Sequence, residues 1–274
     1  MAMDTSSGTT HQERSRCCFQ EWMQLQRQDL TLLQSLHKKP NHNDHEEIKT
    51  LICSCIAHFE DYISTRSRLA QEDPSTFFAP TWCTSLENSL LWIAGCRPTI
   101  FIRLVYALSG CEVEARLRKW MEGMRNSNDD NSNNFNSISS GSDSVGELSP
   151  TQMKRVDELH MRTLRAEEKL TSEMASLQEE LADQPIAVIA NEMEGTGEMN
   201  EEAEMALKEH ATAMRGIMEK ADELRLNTLK ELALEILKPP QALQFLAASK
   251  KLHLCLHQWG KWRDEKHGRR SYCD

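Results

Sequence analysis

An all-α fold follows from three features of the sequence. Apolar residues recur at three- and four-residue steps over most of the chain. Helix-start signals stand at Thr84-Ser-Leu-Glu87 and Ser149-Pro-Thr-Gln152. Strand signals are nearly absent, because β-branched runs are short and no Asn-Gly or Asp-Gly turn joins alternating segments.

The first helix is read over Cys17 to Leu36, where Phe19, Trp22, Met23, Leu30, Leu33 and Leu36 keep helical spacing. Pro40 to Asp44 interrupts it, and Ile48, Leu51, Ile52, Cys55, Ile56, Phe59, Tyr62 and Ile63 give a second helix a broad apolar face. A third starts near Ser85 on the capping box and is broken at Gly95-Cys-Arg-Pro98, since proline lacks an amide and disfavours helix just before itself. A fourth follows through Phe101, Leu104, Val105 and Leu108, and a charged helix ends near Met124. The composition then collapses into Asn and Ser, read as a flexible linker over 125–148.

Ser149 as N-cap, Pro150 in the first turn and a reciprocal Gln152 start a long helix that runs to Pro185, about 33 residues or roughly 50 Å. A second long helix spans about Glu201 to Leu237, and Pro239-Pro240 ends it and opens a last one. Two long helices joined by a short turn should pack antiparallel, with shorter helices closing an elongated bundle. The domain reading is a disordered tail over 1–16, one helical domain over 17–267 with halves 17–124 and 149–267, and a disordered tail over 268–274.

The 274 residues carry a formal charge of -10, which argues against general binding to nucleic-acid phosphates. A cluster of Lys and Arg near the C-terminus, from Lys250 to Arg270, is a local exception. The nine cysteines have no CxxC or zinc-finger spacing and fit reduced thiols in cytosol or nucleus. No targeting segment is visible, and Arg97, Pro98 and Arg103 break the most apolar stretch, so no membrane span is expected.

Catalytic motifs are missing. There is no G-x-S-x-G elbow, phosphate loop or dinucleotide fingerprint, and His45-Glu46-Glu47 lacks the second histidine of a zinc-protease helix. The pairs Glu167-Glu168 and Glu179-Glu180 sit among lysines and arginines and read as solvated faces rather than acid–base dyads. The chain is not expected to be an enzyme.

The segment Phe245 to Trp262 superposes two helical stripes. Phe245, Ala248, Leu252, Leu256 and Trp259 mark a core-facing one, and Leu246, His253, His257 and Gly260 run beside it. The two imidazoles, four apart, stand on one helix face. By spacing alone they are either edge residues with ordinary hydrogen bonds or ligands for a metal or haem. Trp22 is likewise either a core knob or an anchor for a partner's groove, while Trp82, Trp92 and Arg97 read as architecture around the helix break.

Several segments in fixed order resemble the plant Delay of Germination family: Phe19-Gln-Glu-Trp22 with Gln26, Ala79-Pro-Thr-Trp82, Leu86-Glu87-Asn88, Trp92-Ile-Ala-Gly-Cys-Arg-Pro98, Leu181-Ala-Asp-Gln-Pro185, Asn191-Glu-Met-Glu194 and Lys250 to Gly260. The resemblance covers about residues 17–267. Ala221-Asp-Glu-Leu-Arg225 with Thr228-Leu229 is also similar to the C-terminal regulatory part of TGA-type bZIP transcription factors, without their basic region and zipper.

This resemblance implies a non-catalytic regulator of seed dormancy, seed maturation and abscisic-acid signalling in nucleus and cytoplasm. It implies haem held through His253 and His257, and type-2C protein phosphatases bound by Phe19, Gln20, Glu21, Trp22, Met23 and Gln26. Self-association is a further expected property. Axial ligands must approach iron from opposite faces, whereas side chains four apart on one helix approach from the same side. Only one of the two histidines is therefore expected to be axial on a given haem. The alternative function is a DNA-associated transcription regulator.

Overall fold

The computed structural model describes residues 10–38, 45–110, 144–193 and 200–269, and these are almost wholly helical. Helix α1 (His11–His37) begins six residues before Cys17, inside the stretch expected to be a tail. Its start is fixed by a capping box, in which the Thr10 hydroxyl accepts from the Glu13 amide and the Glu13 carboxylate accepts from the Thr10 amide. Then come α2 (His45–Leu69), the short α3 (Ser75–Phe78) and α4 (Ser85–Ser89), and α5 over residues 99–110. A 3₁₀ turn (Val145–Glu147) leads into α6 (Pro150–Glu179), followed by α7 (Ile186–Glu192), α8 (Glu201–Lys230) with a π-helical extension (Glu231–Ile236), and α9 (Pro239–Lys266). The loop at Pro40 to Asp44, the charged helix ending near Met124 and the Glu194 to Gly197 loop lie outside the described residues, as do most of the Asn/Ser linker and the tails.

Helices α6 and α8, 30 residues each, pair antiparallel. The ion pairs Arg162–Glu231 and Lys220–Glu173 join residues whose order along α6 opposes their order along α8 and its extension. At the other side α1 packs between α2 and α9. The largest apolar cluster joins Leu33 of α1, Ile52 of α2, Val105 of α5, Val156 of α6, Leu232 after α8 and Phe245 of α9. The buried thiols Cys18 and Cys55 are pushed up to about 11 and about 12 by burial, which keeps them protonated as small core residues.

The end of the expected linker is anchored. Val145 is buried; its amide donates to the Gln244 carboxamide and its carbonyl accepts from the Ser109 hydroxyl. Gln152, the predicted capping residue of α6, also donates to Gln241 and to the Ile236 carbonyl, while Gln241 donates to the Ser144 carbonyl. One pair of buried amides thus ties the starts of α6 and α9 to residues 144–148, which are therefore structured rather than flexible. Composition hid this, because one apolar residue suffices to dock the turn.

Two other expectations change. Glu167 does not lie on a solvated face. It is buried, and its carboxylate accepts from the amide and hydroxyl of Thr99, satisfying the free N-terminus of α5 from across the bundle. In α9 the core-facing stripe holds at Phe245 but not at Trp259, which is 55% exposed, while His257, Gly260 and Asp264 are buried. The second half of α9 buries its polar stripe because those groups dock onto α4.

Residues 92–96 form a tight turn closed by a bridge between Trp92 and Gly95. Ile93 and Ala94 have positive φ, 44° and 58°, a region that side-chain-bearing residues seldom occupy. Two buried arginines hold them there. Arg225 donates to the carbonyls of Trp92 (2.6 Å), Ile93 (2.8 Å) and Cys96 (2.7 Å), and Arg66 donates to that of Ala94 (2.6 Å). Asp222 lies between the two guanidiniums, 2.6 Å from Arg225 and 3.3 Å from Arg66. Trp92 is fixed at the other side by donation from Nε1 to Thr171 (2.9 Å), and Arg97 stacks on its ring, which agrees with their architectural reading.

Candidate functional site

The site is built where α9 crosses α4. The α4 capping box, Thr84 with Glu87, is formed as its sequence predicts, and Glu87 serves a second purpose. Its carboxylate oxygens lie 3.0 and 3.1 Å from Nδ1 of His257, whose ring meets Phe19 edge-on at 5.9 Å. Two turns further on, Asp264 accepts from the Ser85 amide at 2.9 Å, supplying α4 with an anionic cap from outside. Gly260 lets the two backbones approach, since a Cβ there would lie 2.1 Å from the Thr84 hydroxyl. Gly260→Ala is accordingly expected to lower stability by about 1–3 kcal/mol in urea unfolding. A change under half a kcal/mol would mean that this contact relaxes freely.

His253 and His257 face different spaces. His253 lines an apolar cavity of about 310 Å³ walled by Trp22, Tyr62, Phe101 and Leu256. His257 lines a separate, more polar cavity of about 200 Å³ between α1 and α9. Phe19 and Trp82 border both. The helix thus presents the two imidazoles to two neighbouring cavities.

Burial pushes the His253 pKa down to about 4, and the nearby Glu87 only partly offsets it, so the ring is neutral at pH 7 with a free lone pair. A neutral imidazole on the wall of an apolar chamber is a side chain that could hold a haem iron, whereas His257 is engaged by Glu87 and lines the other cavity. No group of three or more His, Cys, Asp or Glu suited to a metal ion occurs among the described residues.

For Glu87, burial acts to raise the pKa, but hydrogen bonds from His257 and Thr84 hold its carboxyl below the usual range. Both groups have folded values below their unfolded ones, so both contribute stability that is complete at neutral pH and lost on acidification. His253 loses its share between about pH 6.5 and 4, and Glu87 loses its share below about 4.5. Stability should fall by about 2 kcal/mol from pH 7 to pH 4.5 through His253 alone, its partial exposure included. His253→Gln, which cannot titrate, should flatten the upper part of the curve; an unchanged slope would show that other groups set it.

The sequence-predicted contact residues on α1 divide. Phe19, Trp22, Met23 and Gln26 are buried, with Trp22 stacked on Tyr62 at 4.7 Å and under the Lys250 ammonium. Of the six, Gln20 and Glu21 are exposed. The four are buried because α1 is clamped between α2 and α9, so its apolar stripe is used inside the protein. Lys250, expected in a basic cluster, is also buried and paired with Asp29 at 2.9 Å. No helix among the described residues is long and apolar enough to cross a membrane.

Sequence spacing did not mark Glu87, Asp29, Asp222 or Arg225 as a connected set. A buried charge three residues from its partner, as in Asp222 and Arg225, was the available signal, and exposed helices carry the same spacing.

Residues 30–107, from within α1 into α5, match the family described as DOG1, seed dormancy control. The chain is 41% identical to the Arabidopsis thaliana protein DOG1-like 1 over 91% of its own length and 89% of that protein's. It is 26% identical to the Arabidopsis thaliana protein RESPONSE TO ABA AND SALT 1, over 77% of this chain and 78% of that one. A weaker likeness, 24%, links it to the Arabidopsis thaliana transcription factor TGA7, covering 86% of this chain and 52% of that protein. With 41% identity held across nearly the whole of both chains, the protein belongs to the DOG1 family of seed dormancy control proteins.

Proposed function

We propose that this protein is a non-enzymatic regulator of seed dormancy and abscisic-acid signalling that acts in nucleus and cytoplasm by binding type-2C protein phosphatases. The observation that carries the reading is its near full-length likeness to DOG1-like 1, supported by that to a protein named for its response to ABA and salt. Because Trp22 is buried, the reading takes the outer face of α1, where Gln20, Glu21, Gln24 and Gln28 are exposed, as the phosphatase contact. A pull-down with type-2C phosphatases should recover them with wild-type protein and lose them with Gln20→Ala/Glu21→Arg/Gln24→Ala, a variant that leaves the core untouched. Failure of the wild-type protein to recover any phosphatase would undercut the reading.

Haem is the cofactor this reading carries, with His253 as the residue that would hold it. Haem iron accepts a neutral imidazole as an axial ligand. In hemin titrations His253→Ala should abolish the Soret shift and His257→Ala should leave it. Two unchanged spectra would remove the site.

The likeness to TGA7 favours a second reading, a DNA-associated regulator. Lys251, Arg263 and Lys266 are exposed on α9, whereas Lys250 is consumed by Asp29. Salt-sensitive, sequence-dependent shifts of DNA by the purified protein would favour it.

A further inference from the structure

The chamber on the His257 side has a chemistry of its own. Arg16, Gln20 and Arg27 reach it from α1, spaced four and seven residues apart on one helical face; His257 and Lys261 reach it from α9, four apart, and Trp82 closes one side. Nε of Arg16 is buried and has no hydrogen-bond partner among the described residues. A shielded guanidinium N–H without an acceptor is unfavourable, and a bound oxyanion is the acceptor that would relieve it.

No carboxylate lines the chamber. Glu13, one turn before Arg16, accepts from the Thr10 amide, and Glu87 is held by His257 and Thr84. Two guanidiniums and an imidazole therefore line about 200 Å³ of space in a chain whose formal charge is -10. Such a local reversal of sign, with partly buried walls, concentrates anions. Two guanidiniums with forked donors favour an oxyanion that presents several oxygens over a single-atom halide.

We infer that the chamber between α1 and α9 binds a phosphate group, as inorganic phosphate or as a phosphomonoester, through Arg16 and Arg27. It is separate from the apolar chamber beside His253 and does not depend on haem or phosphatase binding.

The test is titration of the full chain at pH 7 with inorganic phosphate, with a phosphoserine peptide and with its unphosphorylated form, read by calorimetry and thermal shift. Sodium chloride is run at matched ionic strength. Saturable binding is expected for the phosphorylated probes and not for the others. Arg16→Gln should weaken it by about tenfold or more, while Arg263→Gln, on the outer surface of α9, should leave it unchanged. Whichever of phosphate and phosphopeptide binds more tightly identifies the source of the group. The inference is overturned if chloride reproduces the shift, if no probe saturates, or if Arg16→Gln, verified as folded by circular dichroism, binds like wild type.

Discussion

Arg225→Met is expected to lower the stability of the protein by about 3–5 kcal/mol, a large share of the total for a domain of this kind. The guanidinium is fully buried and serves Asp222 and the carbonyls of Trp92, Ile93 and Cys96. Its removal takes this donor from the carbonyls of Ile93 and Cys96 and leaves the Trp92 carbonyl with the Gly95 amide and Asp222 with Arg66, and each unsatisfied group carries its own desolvation penalty. The positive-φ turn at Ile93 and Ala94 then loses what holds it. Arg225→Lys should recover little, because one ammonium cannot reproduce donors that point in three directions. Urea unfolding measures the loss, and Trp92, which sits in the turn, should report local loosening by fluorescence. A loss under about 1 kcal/mol would show that Arg66 alone sustains the turn.

Lys250→Met should have an effect of similar size for a related reason. Asp29 and Lys250 are both buried, and His58 gives Asp29 a second partner at 3.0 Å from the partly exposed side. Taking away the ammonium leaves a carboxylate under the core with that imidazole and the weakly donating Cys55 thiol, a loss expected at about 3–5 kcal/mol. The double variant Lys250→Met/Asp29→Leu should regain most of it, since the penalty belongs to the orphaned charge rather than to the missing attraction. Equal instability of the single and double variants would mean instead that the ion pair itself positions α1 on α9. The distinction bears on function, because the same contact sets Trp22 against Tyr62 beside the apolar chamber.

The all-α fold, the two long helices and two helix starts are local properties of the chain. The spacing of Val156, Leu159 and Leu170 makes one face apolar, and Thr84, Ser149 and Pro150 place amide acceptors and fixed φ angles at the starts of α4 and α6. Such features depend on residues within a few positions of one another, so the sequence by itself determined them. It could not assign the buried polar groups. Glu167, Asp29, Lys250, Asp222 and Arg225 have the composition of a solvated helix face, and only the arrival of a partner from 68 to 221 residues away makes their burial tolerable. The second half of α9 was misassigned for the same reason: Trp259 is apolar yet exposed, while His257, Gly260 and Asp264 go inside because α4 offers a carboxylate, a close backbone and a free amide. His253 and His257 were legible as neighbours on one helix face. That they open onto two chambers, one apolar and one cationic, was decided by α1 packing against α9, because long-range packing determines what space remains on either side of a helix.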